Sequence, residues 1–180
     1  INNISSDESR KFVKSIFNID IVSSDDKFNY AINESYTEFW ACVLHTAIFS
    51  YRNSTRYNDF NTNFYNFLQL EIAHSIVQVQ KILTLNNLHY NKMIYHRTNN
   101  NITSNYYREN THVFSYYVLK TLLLYNYCAI ITRGDFFSSK FTSNNTFNKK
   151  INIIFNLKNI DLFKLYLKKA SINRGFVSII

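Results

Sequence analysis

Residues 34–51 read Glu-Ser-Tyr-Thr-Glu-Phe-Trp-Ala-Cys-Val-Leu-His-Thr-Ala-Ile-Phe-Ser-Tyr, and within them Tyr36, Phe39, Trp40, Val43, Leu44, Ala47 and Ile48 recur at spacings of three and four. That period is the apolar stripe of a buried helix. Arg52 to Asn58 form a polar break, after which Phe60 to Leu85 carries a second stripe through Phe64, Phe67, Leu68, Ile72, Ile76, Val79 and Ile82, ended by Asn86-Asn87. A third long helix is predicted from Glu109 to Ile131 on Val113, Phe114, Tyr117, Val118, Leu122 and Tyr125, closed by Arg133-Gly134-Asp135. Shorter helices are predicted over 8–17, 88–95, 147–156 and 159–170, and a polar loop over 97–106. The expected fold is all-α, a single irregular helical bundle around three long helices, with residues 1–180 forming one domain.

Composition excludes the main competitors. The chain has 180 residues, two glycines and no proline, which argues against a many-turned β-sandwich, whose tight hairpins need glycine. Hydrophobic residues make up 46% and aromatics 17%, too much apolar side chain for a disordered chain. Twenty-six asparagines beside many Ile, Lys, Tyr and Phe are what AT-rich codons produce, so that bias carries little about function. The longest apolar stretch, Thr121 to Ile131, is too short to span a bilayer, so no membrane partner is expected. Cys42 and Cys128 lie in apolar stretches without metal or redox spacing and are expected to be reduced core thiols, consistent with a soluble chain in a reducing compartment. A first residue Ile1 in place of Met is expected of a processed product or a fragment.

The net charge of +8 is unevenly spread. Residues 140–174 hold eight basic residues (Lys140, Lys149, Lys150, Lys158, Lys164, Lys168, Lys169, Arg174) against Asp161. Clustered cations suit phosphates, yet no nucleic-acid motif accompanies them, so a solvated helix face is the expectation and nucleic acid is not an expected partner.

Three groupings could carry chemistry. Glu34 and Glu38 sit one turn apart on one helix face, where like charges repel unless a cation, an arginine or a metal-bound imidazole faces them. First-turn acids are also stabilised by the helix dipole, and the residues alone leave both readings open. Cys42 and His45 continue that line, but Glu34 and His45 are separated by about 16 Å of helix, too far to share a metal, so His45 is expected to be a core or groove histidine. Glu71 with His74, and Glu109 with His112, each have Glu-x-x-His spacing, the first with Gln78 a turn further on. Such pairs ligate di-iron centres when two copies meet in a bundle with two further glutamates, and the helix-entrance position of Glu109 argues against that here. No His-Glu-x-x-His, glycine-rich phosphate loop, Gly-x-Ser-x-Gly elbow or Cys-x-x-Cys pair is present, so the chain holds no self-sufficient catalytic set.

The block Glu34-Ser35-Tyr36-Thr37-Glu38-Phe39-Trp40-Ala41 resembles an uncharacterised zincin-like protein family of large nucleocytoplasmic DNA viruses, whose upstream half carries a His-Glu-Thr-Phe-His type motif. Ser75 to Leu83 with Leu88-His89-Tyr90, and then Tyr107 to Tyr117, resemble its later segments, so that the likeness spans about residues 8–157. The resemblance implies that this chain is the C-terminal helical part of a gluzincin-type metallopeptidase-like protein. Glu34 would stand at the third zinc-ligand position, and Glu38 would be the acid that orients a ligating imidazole. Zinc would then polarise a scissile carbonyl of a peptide or protein substrate, with the upstream glutamate as general base. The upstream motif is not in this chain, so zinc is expected only together with that segment. A host-cytoplasmic or virion location goes with the resemblance. The competing expectation is a non-enzymatic helical viral structural or interaction protein with a protein partner and an exposed apolar face.

Overall fold

A computed structural model describes residues 6–22, 32–95, 105–108, 111–132 and 157–180. The fold is an all-α bundle. Helix α1 (Ser6–Ile16) leads into a short strand β1 (Ile19–Val22), followed by α2 (Ile32–Arg52), α3 (Tyr57–Leu85) and α4 (Tyr90–Tyr95). Strand β2 (Asn105–Arg108) precedes a π-helical segment, Phe114–Leu119, that runs into α5 (Lys120–Tyr125) and α6 (Tyr127–Thr132). Helices α7 (Leu157–Ser171) and α8 (Arg174–Ile179) complete the described chain. Residues 97–104 of the predicted polar loop and the whole predicted 147–156 helix, together with Glu109 and Arg133-Gly134-Asp135, lie outside the described residues, while the last two loop residues, Asn105 and Tyr106, belong to β2.

Helices α2 and α3 form the central hairpin, and the π-helical segment and α5 pack against both. The α2 stripe is narrower than its apolar residues suggest. Tyr36, Phe39, Trp40 and Val43 are buried as expected, but in the last turns the buried positions are Thr46 and Ser50, while Leu44 and Ile48 are 50% and 56% exposed. Small side chains let the α2 backbone approach its neighbours, and Ser50 satisfies its hydroxyl by donating to the Thr46 carbonyl at 2.6 Å. On α3 the buried set, Leu68, Ile72, Ser75, Ile76, Val79 and Leu83, follows the predicted stripe, with Phe64 and Ile82 partly buried against it.

The third long helix is a composite. It starts at Val113 with a π-helical turn and is cut at Asn126, whose Nδ2 donates to the Leu122 carbonyl at 2.8 Å and so ends α5. Asn126 Oδ1 also accepts from Asn173 Nδ2 at 2.9 Å, tying the break to the start of α8. Residues Val118 to Leu124 are all buried, which makes α5 the innermost element. Among the described residues no helix is long and apolar enough to cross a membrane.

Two features were not foreseen from periodicity. Strands β1 and β2 pair in parallel, Ile19 opposite Asn105 and Val22 opposite Arg108. Four-residue strands are too short to show an alternating pattern. A run of edge-to-face aromatic contacts, Tyr107–Phe114 (5.5 Å), Phe114–Phe17 (5.3 Å), Phe17–Tyr90 (6.0 Å), Tyr90–Phe176 (5.2 Å) and Phe176–Tyr125 (5.3 Å), links β2, the π-helical segment, the end of α1, α4, α8 and α5. Gly175 stands where this chain of rings meets α8, since a Cβ there would lie 2.6 Å from the Tyr125 hydroxyl.

Candidate functional site

Where α2, α3 and the π-helical segment meet, a polar seam runs through an otherwise apolar interior. Helix α2 places Glu34, Glu38 and Cys42 at successive turns of one face. All three are half-buried. From α3 come Glu71 and Ser75, and from the third element Tyr116 and Lys120, again one turn apart.

The lower part of the seam is satisfied within itself. Glu71 Oε1 accepts from the Cys42 thiol and the Ser75 hydroxyl, each at 3.5 Å, and lies 3.6 Å from Lys120 Nζ. Lys120 is only 9% exposed and also sits over the Tyr117 ring at 5.8 Å. The buried cation that two α2 acids would call for is therefore present, but its ion pair is with Glu71. Burial pushes the Cys42 thiol up to about 11; Lys120 opposes that, while the charge and hydrogen bond of Glu71 and the charge of Glu38 add to it. A thiol so protonated is no nucleophile at neutral pH.

The upper part is not satisfied. Tyr116 has its phenol raised above the ordinary tyrosine range first by a hydrogen bond with Glu34, then by burial, then by the charges of Glu34 and Glu38. The charges of both carboxylates act on the same phenol. Glu34 Oε2 is buried and, among the described residues, has no hydrogen-bond partner. An orphaned carboxylate oxygen in the interior is a costly arrangement unless something occupies its lone pairs.

That oxygen fits a metal donor, so Glu34 is compatible with the ligand role the resemblance implies. Among the described residues no group of three His, Cys, Asp or Glu side chains is placed to hold a metal ion, so further ligands would have to come from elsewhere. The other sequence candidates are not gathered here. His45 is exposed on α2 rather than in a core or groove, because it lies on the flank of the helix turned from the buried stripe. Glu71 and His74 part company: the glutamate turns into the seam, whereas His74 is exposed and meets Gln78 at 3.1 Å. His112 is half-buried just before the π-helical turn, and its proposed partner Glu109 is outside the described residues. Tyr107, in the stretch that carries the resemblance, is fully buried with its ring packed in the aromatic chain. Neither cysteine is fully in the core: Cys42 is half-buried and Cys128 exposed.

Tyr116 and Lys120 were not singled out by sequence reasoning. A lysine in the middle of the apolar run Val118 to Leu124 is the signal that could have found the second; among 14 tyrosines nothing marked the first. Of the C-terminal cations, Lys164 is held between α1 and α7 by Glu8, by Asp161 at 4.0 Å and by the Phe12 ring at 5.9 Å, while Lys168, Lys169 and Arg174 are exposed. No family model, curated protein or solved structure matches this chain.

Proposed function

We propose that this chain is the C-terminal helical part of a viral zinc metallopeptidase-like protein of the gluzincin type. In this reading Glu34 supplies the third protein ligand to zinc, Glu38 orients an imidazole ligand, and two histidines and the general base come from an upstream His-Glu-x-x-His segment. The observation that carries it is the buried, unpartnered Glu34 Oε2 beside Glu38, a donor atom set in the interior with its lone pairs unused. Bound zinc would supply Lewis acidity toward a peptide carbonyl and a lowered pKa for its water. The residues of this chain would do the holding. Glu34 would donate an oxygen, and the Tyr116 phenol, whose pKa that carboxylate raises, would help to orient it.

The test uses the whole encoded reading frame, expressed and assayed for zinc by mass spectrometry. One zinc per chain is expected, with its retention against a chelator lost in Glu34→Gln and weakened about 10- to 100-fold in Glu38→Gln. Unchanged zinc affinity in Glu34→Gln, or a reading frame with no histidine pair upstream, would overturn the assignment.

One observation favours the second reading, a non-enzymatic helical interaction protein. Leu44, Ile48 and Tyr51 form an exposed stripe on α2, and Leu70 and Leu85 are 66% and 83% exposed on α3. A concentration-dependent mass in light scattering that Leu44→Ser/Ile48→Ser abolishes would support it.

A further inference from the structure

The tip of the α2–α3 hairpin carries features that the zinc reading does not use. Tyr51, Arg52, Ser54, Thr55, Arg56 and Phe60 line an open cleft of about 630 Å³ there, within the size range of small-ligand sites. Tyr51 is 75% exposed, and among the described residues neither Arg52 nor Arg56 has an ion-pair partner. The nearby acids are already engaged. Asp59 Oδ2 accepts from the Thr55 hydroxyl at 2.9 Å and the Arg56 backbone N–H at 3.0 Å, and Glu71 is turned into the seam toward Lys120. Between Glu38 and Asp59, and again between Asp59 and Glu71, the sequence has no acid, so Arg52 and Arg56 outweigh the single Asp59 carboxylate and leave the cleft net basic with an aromatic wall.

We propose that this cleft docks single-stranded nucleic acid, the Arg52 and Arg56 guanidinium groups meeting adjacent phosphates and the Tyr51 ring stacking on a base. The argument is charge and shape complementarity. Unpaired guanidinium groups suit phosphate oxygens, and an exposed aromatic ring beside them offers a face to a planar base. An acidic peptide would use the same cations but has no need of the ring. The site departs from the sequence expectation that nucleic acid is not a partner, and it lies away from the C-terminal lysines on which that expectation was weighed. It shares no residue with the Glu34 site, so either proposal can fail without the other.

The experiment is fluorescence anisotropy of the chain with a labelled oligothymidylate about ten nucleotides long. With two phosphates neutralised on a single strand, log K should fall with log salt at a slope of about −1.4, which is roughly sevenfold weaker binding between about 50 and about 200 mM salt. Arg52→Gln should roughly halve that slope. Tyr51→Ala should leave the slope unchanged and weaken binding about fivefold or more. Both positions are exposed, and circular dichroism checks that the fold is kept. Three outcomes would overturn the proposal: no binding at about 50 mM salt, binding unaltered in both variants, or binding lost instead in Lys168→Gln/Lys169→Gln. Displacement of the oligonucleotide by a polyglutamate peptide at equal concentration, with Tyr51→Ala unaffected, would assign the cleft to acidic peptides instead.

Discussion

Replacing Glu71 by Gln is expected to destabilise the bundle by about 2 kcal/mol, chiefly by leaving the Lys120 ammonium buried without its counter-charge. The figure follows from the geometry. At 3.6 Å the gross attraction between Nζ and Oε1 is roughly 4–5 kcal/mol for an effective dielectric of about 20. The Glu71 side chain is 32% exposed against 11% for Lys120, so solvent screening and desolvation cut the net value to about 1–2 kcal/mol. Lys120→Met should cost less, about 1 kcal/mol, because the methionine fills the volume of the lysine stem and Glu71 keeps its access to water. The double variant should also cost about 1 kcal/mol, well below the sum of the two, since it leaves no lone charge behind. Urea unfolding followed by circular dichroism measures all three, and melting temperatures should fall by about 2–4 °C per kcal/mol for a chain of this size. Costs that add to within about 0.5 kcal/mol would refute the coupling and with it the view of the seam as a charge-paired unit.

Gly175→Ala should cost about 1–3 kcal/mol, since its Cβ would come within 2.6 Å of the Tyr125 hydroxyl; Gly175→Ala/Tyr125→Phe should recover most of the loss, and failure to recover would show that another constraint holds the glycine. Alkylation by iodoacetamide at neutral pH, read by peptide mass spectrometry, should label exposed Cys128 well before Cys42, whose thiol burial holds up to about 11. Because the folded Cys42 pKa is raised from 9.0, the protonated thiol favours the folded state fully below pH 9, and that contribution is lost as pH rises toward about 11. Wild type should accordingly lose more stability than Cys42→Ala across that window.

The helices were legible because their signal is long. Twenty-one residues of α2 and twenty-nine of α3 repeat the apolar period many times, and the observed spans exceed the predicted ones by only a few residues. What failed was finer. Leu44 and Ile48 have the hydrophobicity of core residues but lie on the outer flank, and a hydrophobic stripe does not say which of its edges a neighbour covers. The break at Asn126 depends on a side-chain amide reaching back to Leu122, a choice between backbone partners that periodicity does not register. At the site, the common face of Glu34 and Glu38 could be read from their spacing, while Tyr116, Lys120 and Glu71 reach it from other elements and needed the packing to be known.

The β1–β2 ladder closes a loop of about eighty residues, whose closure entropy is roughly 4 kcal/mol and more than four paired residues can offset alone. Its amide protons should therefore be captured late during refolding, once the α2–α3 hairpin has already brought the two ends within reach. In the native protein the same amides would then be among the earliest to exchange with solvent, making the ladder a reporter of partial opening while the hairpin beneath it stays closed.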